Sequence, residues 1–387
     1  MQRQIITARQ NWQASVESVG FDFHTFDAAP YWSEESCWSF TSAEIDGLEA
    51  AANELHHMCM EAVQAIIDDR RLPLFGISGL AEELVKKSWE RRDPHLYGRV
   101  DLAYDGSGPP KLLEYNADTP TSLFEAAIVQ WYWKEACFPG SDQFNSLEEG
   151  LIERFRALMR GIPSQDPRRH LHLSCVMPNI EDEGNLKYIE ACAIDAGFTT
   201  TRLDIADIGW DHTNEKFVDL DERVIGRLFK LYPWEWMVKE SFGMNIPIAG
   251  TQFIEPAWKM LLSNKAILAQ LWEMYPQHDY LLPASFERER IMAQSPHGVV
   301  RKALLGREGA NVTIYDAEGS VLESQDGIYG AEGYVWQARA PLARAGAHGS
   351  AVLGVWIIGD EARGMGIREA EGLITTDMCH FVPHVFS

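Results

Sequence analysis

The sequence predicts a mixed α/β (α+β) fold. Three observations carry that expectation: an alternating hairpin over residues 97–116, a strand–helix–strand unit over 171–204, and short strand-like segments separated by Gly-containing turns between 299 and 369. Strands interleaved with helices in this way belong to layered α/β chains, not to all-helical bundles or sandwiches.

Taken in order, the first clear element is a helix over residues 42–68. Thr41 and Glu44 form a T-x-x-E capping box. Ile45, Leu48, Ala52, Leu55, Cys59, Val63 and Ile66 follow at helical spacing. Cys59 lies on that stripe, where a thiol acts as a small hydrophobe. The hairpin comes next and turns over residues 105–110. Symmetrical closure sets Leu102 against Leu113, Val100 against Tyr115, Asp101 against Glu114 and Arg99 against Asn116. One face is then apolar, and the other carries Arg99, Asp101, Glu114 and Asn116. A helix is expected over 121–136, a buried strand over 171–178, a helix near 185–196 and a strand over 199–204. Further strands are expected at 299–305, 311–315, 333–338, 351–358 and 364–369. With no repeat and no Pro/Gly/Ser linker, three interwoven parts are expected. They are 1–150 with the hairpin, 151–255 with the βαβ unit, and 256–387 with the lysines and glycines discussed below.

Composition narrows the function classes. A hydrophobic share of 46% with 13 Trp can bury a large core, which excludes global disorder. A net charge of −23 disfavours nucleic-acid binding. That acidity serves either solubility alone or the concentration of cations, polyamines among them. Six cysteines with no C-x-x-C pair argue against structural zinc and a disulfide framework, and for a reducing compartment. The start, MQRQIITARQNW, has no apolar leader core, and no 18-residue apolar stretch occurs. The expectation is a cytoplasmic protein with no membrane span. Its oligomeric state is not legible.

The hairpin is the most informative segment for chemistry. Directly opposed carboxylates repel, and a cation between them removes that cost. Asp, Glu and an Asn carbonyl are hard oxygen donors of the kind Mg²⁺ takes beside phosphates. Arg99 adds a fork for a phosphate oxygen. On residue types alone the same face fits a solvated surface on which Arg99 neutralises its neighbours. Residues 117–122 offer a helix start directly after the strand, and helix N-termini attract anions. Neither G-x-x-x-x-G-K-[ST] nor G-x-G-x-x-G occurs, so P-loop and Rossmann readings have no support. Lys302 instead lies in an apolar strand before Gly306 and Gly309. It fits either an anion site or a hairpin with a snorkelling lysine. Lys265 stands at a helix start, where a cation is unfavourable unless it serves something else. Arg368 lies on a Gly-flanked strand as a second candidate clamp. His380 and His384 have metal-like spacing, but Pro383 between them makes them structural.

These pieces, in this order, resemble the glutathionylspermidine synthase family and its ATP-grasp synthetase domain. The matching stretches are Arg99-Val-Asp101, Glu114-Tyr-Asn-Ala-Asp-Thr119, Ser141-Asp-Gln-Phe-Asn145 and Lys230-Leu-Tyr-Pro-Trp-Glu235. They continue with Glu255-Pro-Ala-Trp-Lys-Met-Leu-Leu-Ser-Asn-Lys265, Gly306-Arg-Glu-Gly-Ala-Asn311 and Gly366-Ile-Arg-Glu369. The resemblance implies an ATP- and Mg²⁺-dependent ligase joining a small-molecule or peptide carboxylate to an amine. It implies Asp101, Glu114 and Asn116 as magnesium ligands, with Arg99 and Arg368 facing the transferring phosphoryl group. Lys265, Lys302, Gly309, Ala310 and Gln337 match ATP-binding positions. Thr119, Glu181, Asp182 and Leu231 match substrate positions, with Glu183 completing an acidic run. Leu231 departs from the pattern, since it stands where the family carries a substrate-contacting Thr. Ala303 departs likewise, where Pro is common. Two other readings are an ATP-binding regulatory protein without ligase turnover, which Leu231 favours, and a carboxylate kinase.

Overall fold

The chain forms a mixed α/β structure of several sheets flanked by helices. The structure, a computed structural model, describes residues 1–26, 29–346, 349–376 and 379–387. Strand β1 (Gln2–Ile5) pairs antiparallel with β2 (Ser36–Phe40), both ahead of the first element legible in the sequence. Helix α1 (Ser42–Asp68) follows with its capping box formed in both directions by Thr41 and Glu44. All seven stripe residues named above are buried, and Cys59 is fully so. A 27-residue amphipathic helix is held chiefly by that packed face, because propensity alone contributes little. Helix α1 lies across the central sheet.

The hairpin is β3 (Tyr97–Ala103) and β4 (Lys111–Asn116). Arg99 opposes Asn116, Val100 opposes Tyr115 and Asp101 opposes Glu114, as the symmetry predicts. Beyond Asp101 the register shifts, and Leu102 meets Leu112 in place of Leu113. The bulge at Leu113 corrects the expected pairing. It adds a residue on one strand, so Leu102 and Leu112 still share the core. After the hairpin, residues 121–122 are not helical, and Ser122 takes a left-handed φ of 70°. A π-helical turn, Glu125–Val129, runs into α2 (Gln130–Cys137) and then α3 (Leu147–Met159).

The parallel sheet holds β5 (His170–Cys175), β6 (Thr199–Asp204), β7 (Arg227–Leu231) and β8 (Gln252–Ile254) in the order β8-β7-β5-β6. Helix α4 (Ile180–Asp195) crosses from β5 to β6 and begins five residues before the expected start, because Asn179 caps it. Asn179 Oδ1 accepts from the N–H groups of Glu181 and Asp182, both at 3.1 Å. Helix α5 (Ala266–Met274) has Lys265 at its N-cap position.

A five-stranded antiparallel sheet follows: β9 (Ala284–Ser285), β10 (Val299–Ala303), β11 (Val312–Tyr315), β12 (Val321–Gln325) and β13 (Tyr334–Ala338), in the order β9-β13-β10-β11-β12. The chain then completes the central sheet with β14 (Gly349–Ile358), β15 (Glu361–Ala370) and β16 (His380–Val382). The order β16-β15-β14-β3-β4 joins residues far apart in sequence, and a short strand, Ala343–Ala345, pairs with β14 beside that path. Strand β17 (His384–Phe386) finally runs parallel to β2. His384 is fully buried, shares a hydrogen bond with Gln130 Oε1 at 3.0 Å and accepts from the Phe144 N–H at 3.2 Å, so it is structural. Among the described residues, no helix is long and apolar enough to cross a membrane.

Candidate active site

Three sheets converge on one cleft of about 890 Å³. The central sheet supplies the charged floor. Asp101 on β3 and Glu114 on β4 are opposite each other and both line the cleft. Asn116 bridges them, its Nδ2 donating to Asp101 Oδ2 at 3.0 Å and to Glu114 Oε1 at 3.1 Å. Arg99 lies along the same strand face and grips Asp101 with Nε at 2.7 Å and Nη2 at 3.0 Å. Gly354 on β14 leaves room for it, since a Cβ there would sit 2.7 Å from Arg99 Cδ. Arg368 on β15 reaches Asp101 Oδ2 at 2.7 Å. Burial works against the Arg368 charge, but Asp101 and smaller contributions from other neighbours, Glu114 among them, together raise its pKa.

The lysines approach from the other side of the hairpin. Lys265 Nζ lies 3.0 Å from Glu114 Oε2 and donates to Gly306 O at 2.6 Å. Lys302 Nζ donates to Leu113 O at 2.8 Å, and Gln337 Nε2 donates to Leu112 O at 2.8 Å. Strand β4 is thus an edge strand whose outer carbonyls are covered by side chains of the five-stranded sheet. Burial pushes Lys302 down to about 8, against the attraction of Glu114. Burial works to raise Glu114, yet Lys265 and Lys302 hold it well below the usual carboxylate range.

The glycine loop of residues 304–311 roofs this cluster. Gly309 has φ +73°, and a Cβ on it would meet Ile374 and the Thr375 carbonyl at 2.7 Å. Arg307 on the loop donates to Thr119 Oγ1 at 2.6 Å and to Glu235 Oε1 at 2.7 Å. This contact ties three segments together. Arg307 and Glu235 both lie in stretches already noted, but neither was singled out, because no local pattern links residues 72 positions apart. The same holds for the buried pair Lys230 and Asp118, 2.6 Å apart.

The helix-start reading after β4 needs correction. The N–H groups of Leu123 and Phe124 donate to Asn185 Oδ1, at 3.1 and 3.3 Å. Those of Ala117 and Asp118 donate to Ser263 Oγ. Protein oxygens therefore take these four N–H groups, those of the first two helical residues among them.

The positions expected to meet substrate lie at the opposite end. Leu231 closes β7 and lines the cleft beside Thr119 and Asp182. Glu181 and Asp182 occupy the first turn of α4. Burial, then Asp182, raises Glu181 to about 7, and burial, then Glu308, raises Asp182 to about 6. Glu183 turns away and accepts from the Asn179 N–H at 3.2 Å. Ala303 is a buried strand residue. The Asp101, Glu114 and Asn116 donor set has the hard-oxygen chemistry that suits Mg²⁺. Asn116 would present its oxygen by turning its amide over. Among the described residues, no group of three or more His, Cys, Asp or Glu could hold a metal ion, so any such site depends on the Asn.

This chain, an α/β protein with a charged cleft under a glycine loop, matches the family described as glutathionylspermidine synthase preATP-grasp over residues 3–387 and belongs to it. It is 42% identical over 380 residues to a Haemophilus influenzae protein provisionally named an acid–amine ligase, covering 95% of each chain. It is 28% identical over 356 residues to trypanothione synthetase of Crithidia fasciculata, covering 84% of this chain and 53% of that one. Against the bifunctional glutathionylspermidine synthetase/amidase of Escherichia coli it is 27% identical over 326 residues, covering 78% and 51%. The chain therefore spans about half the length of those two larger relatives.

Proposed function

We propose that the protein is an ATP-grasp ligase that joins a peptide-like carboxylate to an amine, forming ADP and phosphate. The observation that carries this reading is the charge arrangement of the cleft floor: two opposed carboxylates bridged by an amide, with two arginines and two lysines around them. Asp101, Glu114 and Asn116 would hold Mg²⁺, which supplies charge neutralisation at the β- and γ-phosphates of ATP. The residues of the chain do the rest. Lys265 and Lys302 neutralise phosphate oxygens, and Gln337 lies where the family's adenine-binding strand runs. Arg99 and Arg368 face the phosphoryl group as it passes to the substrate carboxylate and gives an acyl phosphate. The loop carrying Gly309 and Ala310 excludes water that would hydrolyse that intermediate. An amine held near Glu181 and Asp182 then displaces phosphate. Positioning is the main contribution, because the encounter has three substrates.

Leu231 favours a second reading, an ATP-binding regulatory protein without ligase turnover. Where a polar substrate group meets Leu, its lost hydrogen bond costs about 1–3 kcal/mol. Glutathione and spermidine are therefore expected to be joined poorly, while ATP hydrolysis persists. Incubating the protein with ATP, Mg²⁺ and pools of peptides and amines, then reading phosphate release and product mass, tests both readings. An amide product supports the ligase, a phosphorylated acid supports a carboxylate kinase, and phosphate release without either supports the regulatory reading. Robust glutathionylspermidine formation would show that Leu231 does not control specificity.

A further inference from the structure

The carboxyl edge of the parallel sheet is apolar and open. Strands β5 and β7 end side by side, with Cys175 paired to Leu231. Just beyond them, Val176, Tyr232, Pro233 and Trp236 line the cleft together with Leu231. Ligands of parallel sheets bind outside this edge. Val176 is 44% exposed and Trp236 38% exposed, so large apolar surface remains uncovered there.

The short turn Trp234–Met237 explains why one tryptophan joins the core and the other does not. Trp234 is buried, its backbone N–H donating to Asp118 Oδ2 at 3.0 Å and its Nε1 to Glu255 O at 2.9 Å. Two residues later, Trp236 turns outward. It packs edge-on against Tyr232, whose hydroxyl donates to Glu240 at 2.5 Å. An indole braced at the rim of a cleft is ligand-binding surface. Asp182 lines the same cleft, while Arg99, Arg368 and the lysines gather around the hairpin carboxylates.

The geometry points to this edge as a shelf for the apolar tail of a primary amine whose ammonium group sits at Asp182. The assignment rests on the ligase reading and specifies its amine: a monoamine with an aliphatic or aromatic tail. A second ammonium on the same tail would replace apolar contact with Val176, Leu231 and Pro233 and gain nothing from that wall.

Calorimetric titration of the full chain with n-propylamine through n-octylamine and phenethylamine tests this. Mg²⁺ and a non-hydrolysable ATP analogue are present throughout. Affinity should rise about two- to fourfold per methylene. Trp236→Ala should flatten that gradient below about 1.5-fold per methylene while keeping the preference for an amine over the matching alcohol. Asp182→Asn should do the reverse. Chain-length independence, an unchanged gradient in Trp236→Ala, or tighter binding of 1,4-diaminobutane than of butylamine would overturn the shelf. Product mass with the same amines and an acid pool separates the two readings. A binding gradient without any amide leaves the shelf standing and removes the ligase. Amide formation with a flat amine series does the opposite.

Discussion

The two ends of the cleft solve opposite electrostatic problems. At the hairpin end each carboxylate already has protein cations: Asp101 has Arg99 and Arg368, and Glu114 has Lys265. At the end formed by the start of α4, burial raises Glu181 and Asp182, and each is raised further by a neighbouring acid. One end carries an internally balanced charge lattice, which under the proposed function phosphates and a cation would enter by exchanging partners. The other holds acidic groups that lie next to an uncovered apolar wall, with Thr121 and the more distant Arg368 only partly offsetting the strain on Glu181. Under the proposed function that incomplete balance is where a cationic substrate would complete the site.

The comparison breaks first if Arg368 belongs to the resting lattice alone. Arg368→Ala should lower turnover by about 10³ or more with little change in ATP affinity. Equal losses in kcat and binding, read from steady-state kinetics and titration, would make it a ground-state anchor. Next is the buried pair behind the cleft residues Thr119 and Leu231, where Lys230 meets Asp118. Lys230→Met leaves a buried carboxylate without its cation and should cost about 3–5 kcal/mol in chemical denaturation. Third, Asp101→Asn should raise the Mg²⁺ concentration for half-maximal activity by about tenfold or more. Glu181→Gln should leave that concentration unchanged.

The last prediction sharpens the picture of the α4 end. Glu181 has a folded-state pKa raised to about 7, above the unfolded value of about 4.3. The folded form therefore holds its proton more tightly, and stability falls as pH rises from the unfolded value towards the folded one. Glu181→Gln should stabilise the free protein at pH 8. The gain should vanish below about pH 4, as followed by thermal unfolding across pH. A gain that grows on acidification would contradict the assigned environment.

Much of this was legible locally. The box at Thr41 and Glu44 and the stripe from Ile45 to Ile66 follow from helical periodicity. The opposition of Asp101 and Glu114 follows from strand alternation about one turn. The five expected C-terminal strands were found to within three residues at their ends. Strand β7 went unread because Arg227 and Lys230 interrupt its apolar run. Each is buried with partners elsewhere: Gln252 and the Leu158 carbonyl for Arg227, Asp118 and the Tyr232 carbonyl for Lys230. The bulge at Leu113 went unread because a symmetrical closure fits the turn equally well.

By itself, then, the amino-acid sequence determined the periodic elements, the family and the residue types of the charged floor. Backbone period and side-chain chemistry are properties of neighbouring residues. Only the tertiary structure decided that Arg307 spans Thr119 and Glu235, that Asn185 takes the N–H groups of Leu123 and Phe124, and that Trp236 is left at the rim while Trp234 is buried. Those outcomes depend on which distant surfaces meet. A buried charge or polar group must be satisfied by whatever packing brings to it, and no local spacing encodes that partner.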